Sequence, residues 1–284
     1  MHFVPEHVLV VGAVVAYGLA AASACRGEPN ADVGTTTRLT APKVGLGLLI
    51  LALVIRAARV GEFPVYGGFE VLAWYAIALT AGVLCLTRRT RLDSIAALLF
   101  PILALICGVA AVFLARPTRV PEGTRSAWLT LHIISALFGY GLFTLESVLG
   151  AAYLIQDNNL KRKRFGPLFQ RLPPLEALDR LMGELIGVAF TLFSVAIGLG
   201  IYLAHRYNWA ASWPRDPKIV ASAGTWLVYA VLFHLRRQAG RHGRKVALVA
   251  VFGFAAVLFA ALGVHLFTDS VHSFLSTLPE GGRP

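Results

Sequence analysis

The residues best suited to chemistry lie in one stretch, Tyr207-Asn208-Trp209-Ala210-Ala211-Ser212-Trp213-Pro214-Arg215-Asp216-Pro217-Lys218. Pro214 and Pro217 disfavour a continuous helix, because each lacks an N–H and restricts the residue before it. The tryptophans therefore stand on an irregular segment. Trp209 and Trp213, followed by Arg215 and Lys218, make a flat apolar platform with cations at its edge. Such a surface suits a planar hydrophobic molecule carrying carboxylates, of which haem with its two propionates is the obvious biological example. From composition alone the same residues also read as an aromatic belt at the headgroup level.

Three histidines add to this. His132 and His272 fall at helix ends on the same side as the tryptophans. Neutral imidazoles on opposite faces of a flat molecule supply both axial ligands to a haem iron; each taken singly is equally an interfacial polar residue. His234, followed by Leu235-Arg236-Arg237, is an ionisable residue near membrane depth, hence either a functional group or a side chain reaching the interface with its arginines. No role is assigned to His2, His7, His205, His242 or His265. Glu70 and Glu184 are expected at helix starts, where the dipole favours a carboxylate, and Glu146 lies deeper with no assignment. A Gly-rich phosphate loop, His-Glu-x-x-His and a nucleophile elbow are all missing, so no catalytic residue is named. Cys25, Cys85 and Cys107 stand singly without a Cys-x-x-Cys, which points to structural thiols rather than thiol–disulfide or thiolate–metal chemistry.

The elements that must carry these residues are membrane helices. The chain has 284 residues, 57% of them hydrophobic and 14% charged, with the charges clustered between long apolar runs. A water-soluble domain has nowhere to hide that much apolar surface, and runs of roughly 17–25 residues match the hydrocarbon thickness. We read eight spans, near 5–25, 44–60, 69–87, 94–115, 127–155, 183–204, 219–235 and 246–268. Ala22-Ser23-Ala24 resembles a signal-peptide cleavage site, but Glu6 and no Lys or Arg precede the first run, which argues for an uncleaved helix.

The net charge of +11 would suggest nucleic acid in a soluble protein. Here the positive-inside rule accounts for it, and no nucleic-acid partner is expected. With the N-terminus outside, the inner segments take seventeen of the 26 Lys and Arg, including Arg88, Arg89 and Arg91, Lys161 to Arg164, and Arg236 to Lys245. The fold class expected is thus an all-α polytopic membrane protein of about eight transmembrane helices with both termini on the outer side. Residues 156–182 look soluble, and Leu175, Leu178 and Leu181 after Pro173-Pro174 suggest a separate amphipathic helix along the inner membrane face.

Taken together, these pieces resemble the cytochrome c assembly proteins of the CcsA/ResC/HemX-like type, within the tryptophan-rich haem-handling superfamily. The resemblance runs from about Gly61 to the C-terminus, which divides the chain into N-terminal transmembrane helices (1–60) and a CcsA-like domain (61–284). The family's outer segment has the form W-G-x-[YF]-W-x-W-D-P-K-E-x-W. Trp209, Trp213, Asp216, Pro217, Lys218 and, in the next helix, Trp226 match its spacing. Gly61-Glu62-Phe63-Pro64, Leu172-Pro173-Pro174-Leu175-Glu176 and Gly243-Arg244-Lys245-Val246-Ala247 extend the match. Arg215, Ile219 and Ala221 stand where the family has Trp, Glu and a second Trp, and Ala210 and Ser212 replace a Gly and an aromatic. The platform is smaller for it.

The resemblance implies a bacterial inner (cytoplasmic) membrane protein of System II cytochrome c biogenesis. It implies haem b held non-covalently at the outer face, with His132 and His272 as axial ligands to the iron, for presentation to apocytochrome c; Arg215 and Lys218 are our own candidates for the propionate contacts. It implies that His234 binds haem within the membrane opposite a ligand from a ResB/CcsB-like partner, and that a thioredoxin-like thiol reductase takes part. At most the chain is the haem-presenting subunit of a cytochrome c synthase (haem lyase) complex. The alternative is a HemX-like regulator or scaffold of haem synthesis or cytochrome assembly that keeps the fold without delivering haem.

Overall fold

Long apolar runs in lipid must satisfy their own backbone, and here they do so as α-helices. The computed structural model describes residues 5–26, 32–87, 93–114, 126–208, 213–238 and 243–260. The helices, in chain order, are α1 (Pro5–Arg26), α2 (Asp32–Val60), α3 (Gly68–Thr87), α4 (Asp93–Phe113), α5 (Ala127–Lys161), α6 (Pro167–Arg171), α7 (Leu175–Arg206), α8 (Pro217–Arg237) and α9 (Arg244–Leu258), with no strand among the described residues. Six of them, α1, α2, α3, α5, α7 and α8, are long and apolar enough to cross a bilayer; the apolar stretch of α4 is the shorter Leu98–Phe113. Each of the eight runs read from the sequence falls on, or begins in, one of these helices. The chain is an all-α polytopic membrane protein.

Two expectations shift. Residues 175–182 are not a separate helix along the membrane face: α7 runs unbroken from Leu175 to Arg206, and Leu178 and Leu181 are fully buried in the core. The leucine spacing that suggested an interfacial helix is the inward stripe of a longer span. Glu184 accordingly sits well inside α7 rather than at a helix start, whereas Glu70 does lie in the first turn of α3.

The helices alternate in direction and pack as two groups joined by α3. One group holds α1 to α4; the other holds α5, α7, α8 and α9; α3 packs on α5. Tyr17 and Thr80 share a 2.9 Å hydrogen bond between α1 and α3, and Tyr75 and Thr144 a 2.6 Å bond between α3 and α5. In lipid, where hydrophobic burial gives helices little reason to associate, such bonds and close packing of small residues hold a bundle together. Gly150 of α5 shows the second: a Cβ there would lie 3.0 Å from the Ala247 carbonyl oxygen of α9.

Ion pairs close both ends. At the end where α1, α3, α5 and α8 begin, Arg56 Nε donates to Glu70 (2.8 Å) and its Nη1 to the Leu114 carbonyl (3.1 Å), while Arg59 grips both oxygens of the buried Glu6. At the opposite end Asp157 accepts from Lys161 and Arg244, and Asp179 accepts from Arg236 and from the Gly243 N–H. Arg236 also donates to the Asp179 carbonyl. Gly243 has φ +86 at the start of α9, a conformation that L side chains avoid, and the Tyr153 hydroxyl fills the space a Cβ would need.

Candidate functional site

Three elements converge where α5 begins. Ser126 is extended (φ −151, ψ 154), and its Oγ accepts the Leu129 N–H at 3.2 Å, which starts the helix. His132 follows in the second turn, and its Nδ1 lies 2.8 Å from the carbonyl oxygen of Ala196 on α7. A carbonyl can only accept, so Nδ1 carries the proton and Nε2 keeps the lone pair. The ring reaches α7 because residue 200 is glycine: a Cβ there would lie 3.0 Å from the His132 Cε1.

One turn before His132, Trp128 meets Tyr202 of α7 edge to face, with centroids 5.7 Å apart. Five residues past Gly200, His205 makes the corresponding edge contact with Trp213 (5.9 Å, 83°). Trp213 opens a 3-10 turn, Trp213–Arg215, that leads into α8. There Asp216 is the N-cap, its Oδ1 accepting from the N–H groups of Lys218 (2.9 Å) and Ile219 (3.4 Å), and Pro217 occupies the first helical position, where no N–H is needed. The Asp-Pro-Lys triplet is thus a helix start that brings Lys218 within electrostatic reach of His132.

The other expected residues lie elsewhere. Trp226 is nine residues into α8, roughly 14 Å from its start at 1.5 Å per residue. Its Nε1 donates to Ser194 Oγ (2.9 Å) and its ring packs on Phe190 (5.5 Å), so it joins α8 to α7 inside the bundle. His234 is exposed near the opposite end of α8, roughly 24 Å along the axis from Lys218. The Gln238 amide nitrogen is 2.8 Å from its Nε2, and because an amide NH₂ only donates, Nε2 accepts and Nδ1 bears the proton. Ligation through Nε2 therefore requires Gln238 to turn away. Trp209 and His272 lie outside the described residues. Glu62 lines a groove of about 680 Å³ with Phe63, Tyr66, Thr130, Leu131 and Ile134, on a neighbouring face of α5.

Trp128, Tyr202 and Gly200 were not singled out from the sequence. The spacing of Trp128 and His132, four apart on one helical face, is the signal that finds the first; the other two have none. Arg215 is exposed and Trp213 half-buried. Among the described residues no group of three or more His, Cys, Asp or Glu is placed to hold a bare metal ion. A single imidazole suffices as a protein ligand on one side of an iron that already sits in a macrocycle. The donors present here, a neutral imidazole, an indole and two cations at one end of a membrane bundle, fit haem.

A family model described as "Cytochrome C assembly protein" matches residues 64–272. Among curated proteins, the "Cytochrome c biogenesis protein CcsA" of Parasynechococcus marenigrum is 30% identical over 254 residues, covering 80% of this chain and 82% of the relative. CcsA of Chlorella vulgaris is 28% identical over 84% of this chain and 85% of its own length, and CcsA of Chlamydomonas reinhardtii 27% identical over 82% and 68%. With nearly three quarters of its length inside the family match, the chain belongs to the cytochrome c assembly protein family.

Proposed function

We propose that this protein works in cytochrome c biogenesis as a System II CcsA/ResC-like subunit, binding haem b at the α5 end of the bundle and presenting it to apocytochrome c. The observation that carries the reading is the His132–Ala196 bond, which fixes the imidazole with Nε2 as the ligating nitrogen. An axial ligand needs that tautomer, and a second residue on the far ring nitrogen is the usual means of enforcing it. His132 would ligate from one side and His272 from the other. Trp213, with Trp209, would cover the macrocycle, and Arg215 and Lys218 would pair with its propionates.

Haem supplies the vinyl groups that thiols of a Cys-x-x-Cys-His in the client attack; the chain's own residues bind and orient it. His132 holds position, Asp216 sets the start of α8 so that Lys218 faces the site, and Trp226 pins α8 to α7. His234, at the other end of α8, would bind haem within the membrane opposite a ligand from a ResB/CcsB-like protein. A thioredoxin-like thiol reductase would keep the client reduced. The location proposed is a bacterial cytoplasmic membrane with both termini outside, crossed by about eight spans, with residues 61–284 as the haem-handling part.

The HemX-like regulator remains a second reading, favoured by a specific observation: Asp216 is engaged as a cap and Trp226 in packing, which leaves a smaller aromatic surface than the family motif implies. An absorption spectrum of the purified membrane protein separates the two. Haem in the wild type, with a Soret band lost in His132→Ala plus His272→Ala, supports presentation; no haem, or a band unchanged by both substitutions, rejects it.

A further inference from the structure

Glu146 has no part in the proposed site, yet it is the residue whose position most needs a chemical explanation. It lies 19 residues from Ala127 and 15 from Lys161, roughly 28 and 22 Å from the two ends of α5. Its side chain is fully buried, and neither carboxylate oxygen has a hydrogen-bond partner. A bare charge at that depth is among the costliest things a membrane bundle can hold, and intramembrane acids are as a rule paired or functional.

The surroundings do not neutralise it. Tyr229 and Arg236 of α8 lie within electrostatic reach of it, and Tyr75 of α3 lies within reach of Tyr229. The Arg236 guanidinium is engaged by the side chain and the carbonyl of Asp179. Tyr229 is itself fully buried with a partnerless hydroxyl, stacked on Phe143 with centroids 3.4 Å apart. The buried residues of α7 and α9 are apolar. A neutral carboxyl suits this setting, since it has one O–H to donate and one carbonyl to accept and carries no charge to be solvated.

Glu146 is also aligned with an ionic end. Positions 146, 150, 153 and 157 recur at helical spacing along one face of α5. Gly150 lets α9 pack closely against this face, Tyr153 sits where its hydroxyl meets Gly243, and Asp157 belongs to the ion cluster with Arg244 and Lys161. We infer that Glu146 is a proton-binding site at the middle of the bundle, loaded from the Asp157 and Asp179 end by way of the Tyr153 hydroxyl. The step is a simple protonation: hydronium at that end gives up one proton and is left as water, the Tyr153 hydroxyl passes one proton on as it takes another, and the carboxylate becomes the acid.

This inference does not rest on haem binding, and it is tested without haem. Infrared spectra of the full chain in lipid vesicles at neutral pH should show the carbonyl stretch of a protonated carboxylic acid, shifted in heavy water and lost in Glu146→Gln. Carbodiimide, which attacks protonated buried carboxyls, should label Glu146 in the wild type, and the label should persist in Glu146→Asp, which keeps the acid if the amide variant does not fold. Absence of both band and label in the wild type overturns the site. Tyr153→Phe should retain the band but slow its hydrogen–deuterium exchange several-fold; an unchanged rate overturns the route.

Discussion

His132 and Gly200 are matched: the imidazole edge lies 3.0 Å from the place where a Cβ at position 200 would stand, while its Nδ1 is bonded to the Ala196 carbonyl one turn earlier on α7. The ring is held by a helix surface shaped to receive it, so its Nε2 has a fixed direction, as the proposed ligand role requires.

Gly200→Ala should therefore disturb the ring more than the fold. Alanine gains about 1 kcal/mol of helix propensity over glycine, offsetting much of the cost of a contact that the ring relieves by moving a few tenths of an ångström. Gly200→Val should cost about 1–3 kcal/mol by overpacking. The expected result is a progressively weakened and shifted Soret band through Ala and Val, with thermal unfolding close to wild type for Ala. A wild-type spectrum in Gly200→Val would mean that His132 does not ligate.

Asp216 separates capping from ligand contact. Asp216→Ala should cost about 1 kcal/mol of stability through the lost N-cap, whereas Asp216→Asn retains an acceptor and should be nearly neutral. Thermal unfolding in detergent measures both. If Asp216→Asn keeps its stability but loses haem, the carboxylate touches the ligand and capping is not its whole role.

The buried pair Arg56–Glu70 should behave as an all-or-none device. Glu70→Ala leaves the guanidinium buried with only the Leu114 carbonyl and should cost about 3–5 kcal/mol, while a joint Arg56→Met, Glu70→Leu change should cost far less. Unfolding midpoints of the two variants decide the matter; equal losses would mean that packing, not charge, dominates there.

Gly243→Ala meets two obstacles, a φ of +86 and the Tyr153 hydroxyl. Roughly 1–3 kcal/mol of destabilisation is expected from the backbone alone. Adding Tyr153→Phe should recover part of the loss by removing the collision and leave the backbone share. No recovery would place the whole effect in the turn.

Topology is open to direct measurement. Reporters fused after Lys163 should read as inside and reporters fused after Glu62 as outside, as the segregation of seventeen of 26 basic residues requires. The reverse pattern would put His132 and Trp213 in the wrong compartment for meeting a client cytochrome.

Much of the architecture was legible because membrane helices announce themselves by run length. Asp216 and Pro217 were singled out as part of a family motif, and only the structure shows them as the cap and first residue of α8. What escaped was tertiary. Nothing in the sequence marks the carbonyl of Ala196 as the partner of His132, because every residue has a carbonyl. Trp226 matches a motif by spacing, yet helix geometry carries it roughly 14 Å from the start of α8 and into the α7 interface. Leu178 and Leu181 had the periodicity of an interfacial helix, but the same stripe serves a long span whose first turns pack against neighbours. Periodicity reports that a face is covered without saying by what.

The grip of Arg59 on Glu6 reaches beyond the finished structure to biosynthesis. Glu6 is completely buried in the folded bundle, while its partner follows 53 residues later at the end of the second helix. Until Arg59 has been made, the carboxylate at the start of α1 lacks this partner. A hairpin of the first two helices that enters lipid as one unit would spare the bilayer that unmatched charge, because the pairing is complete as soon as both helices exist.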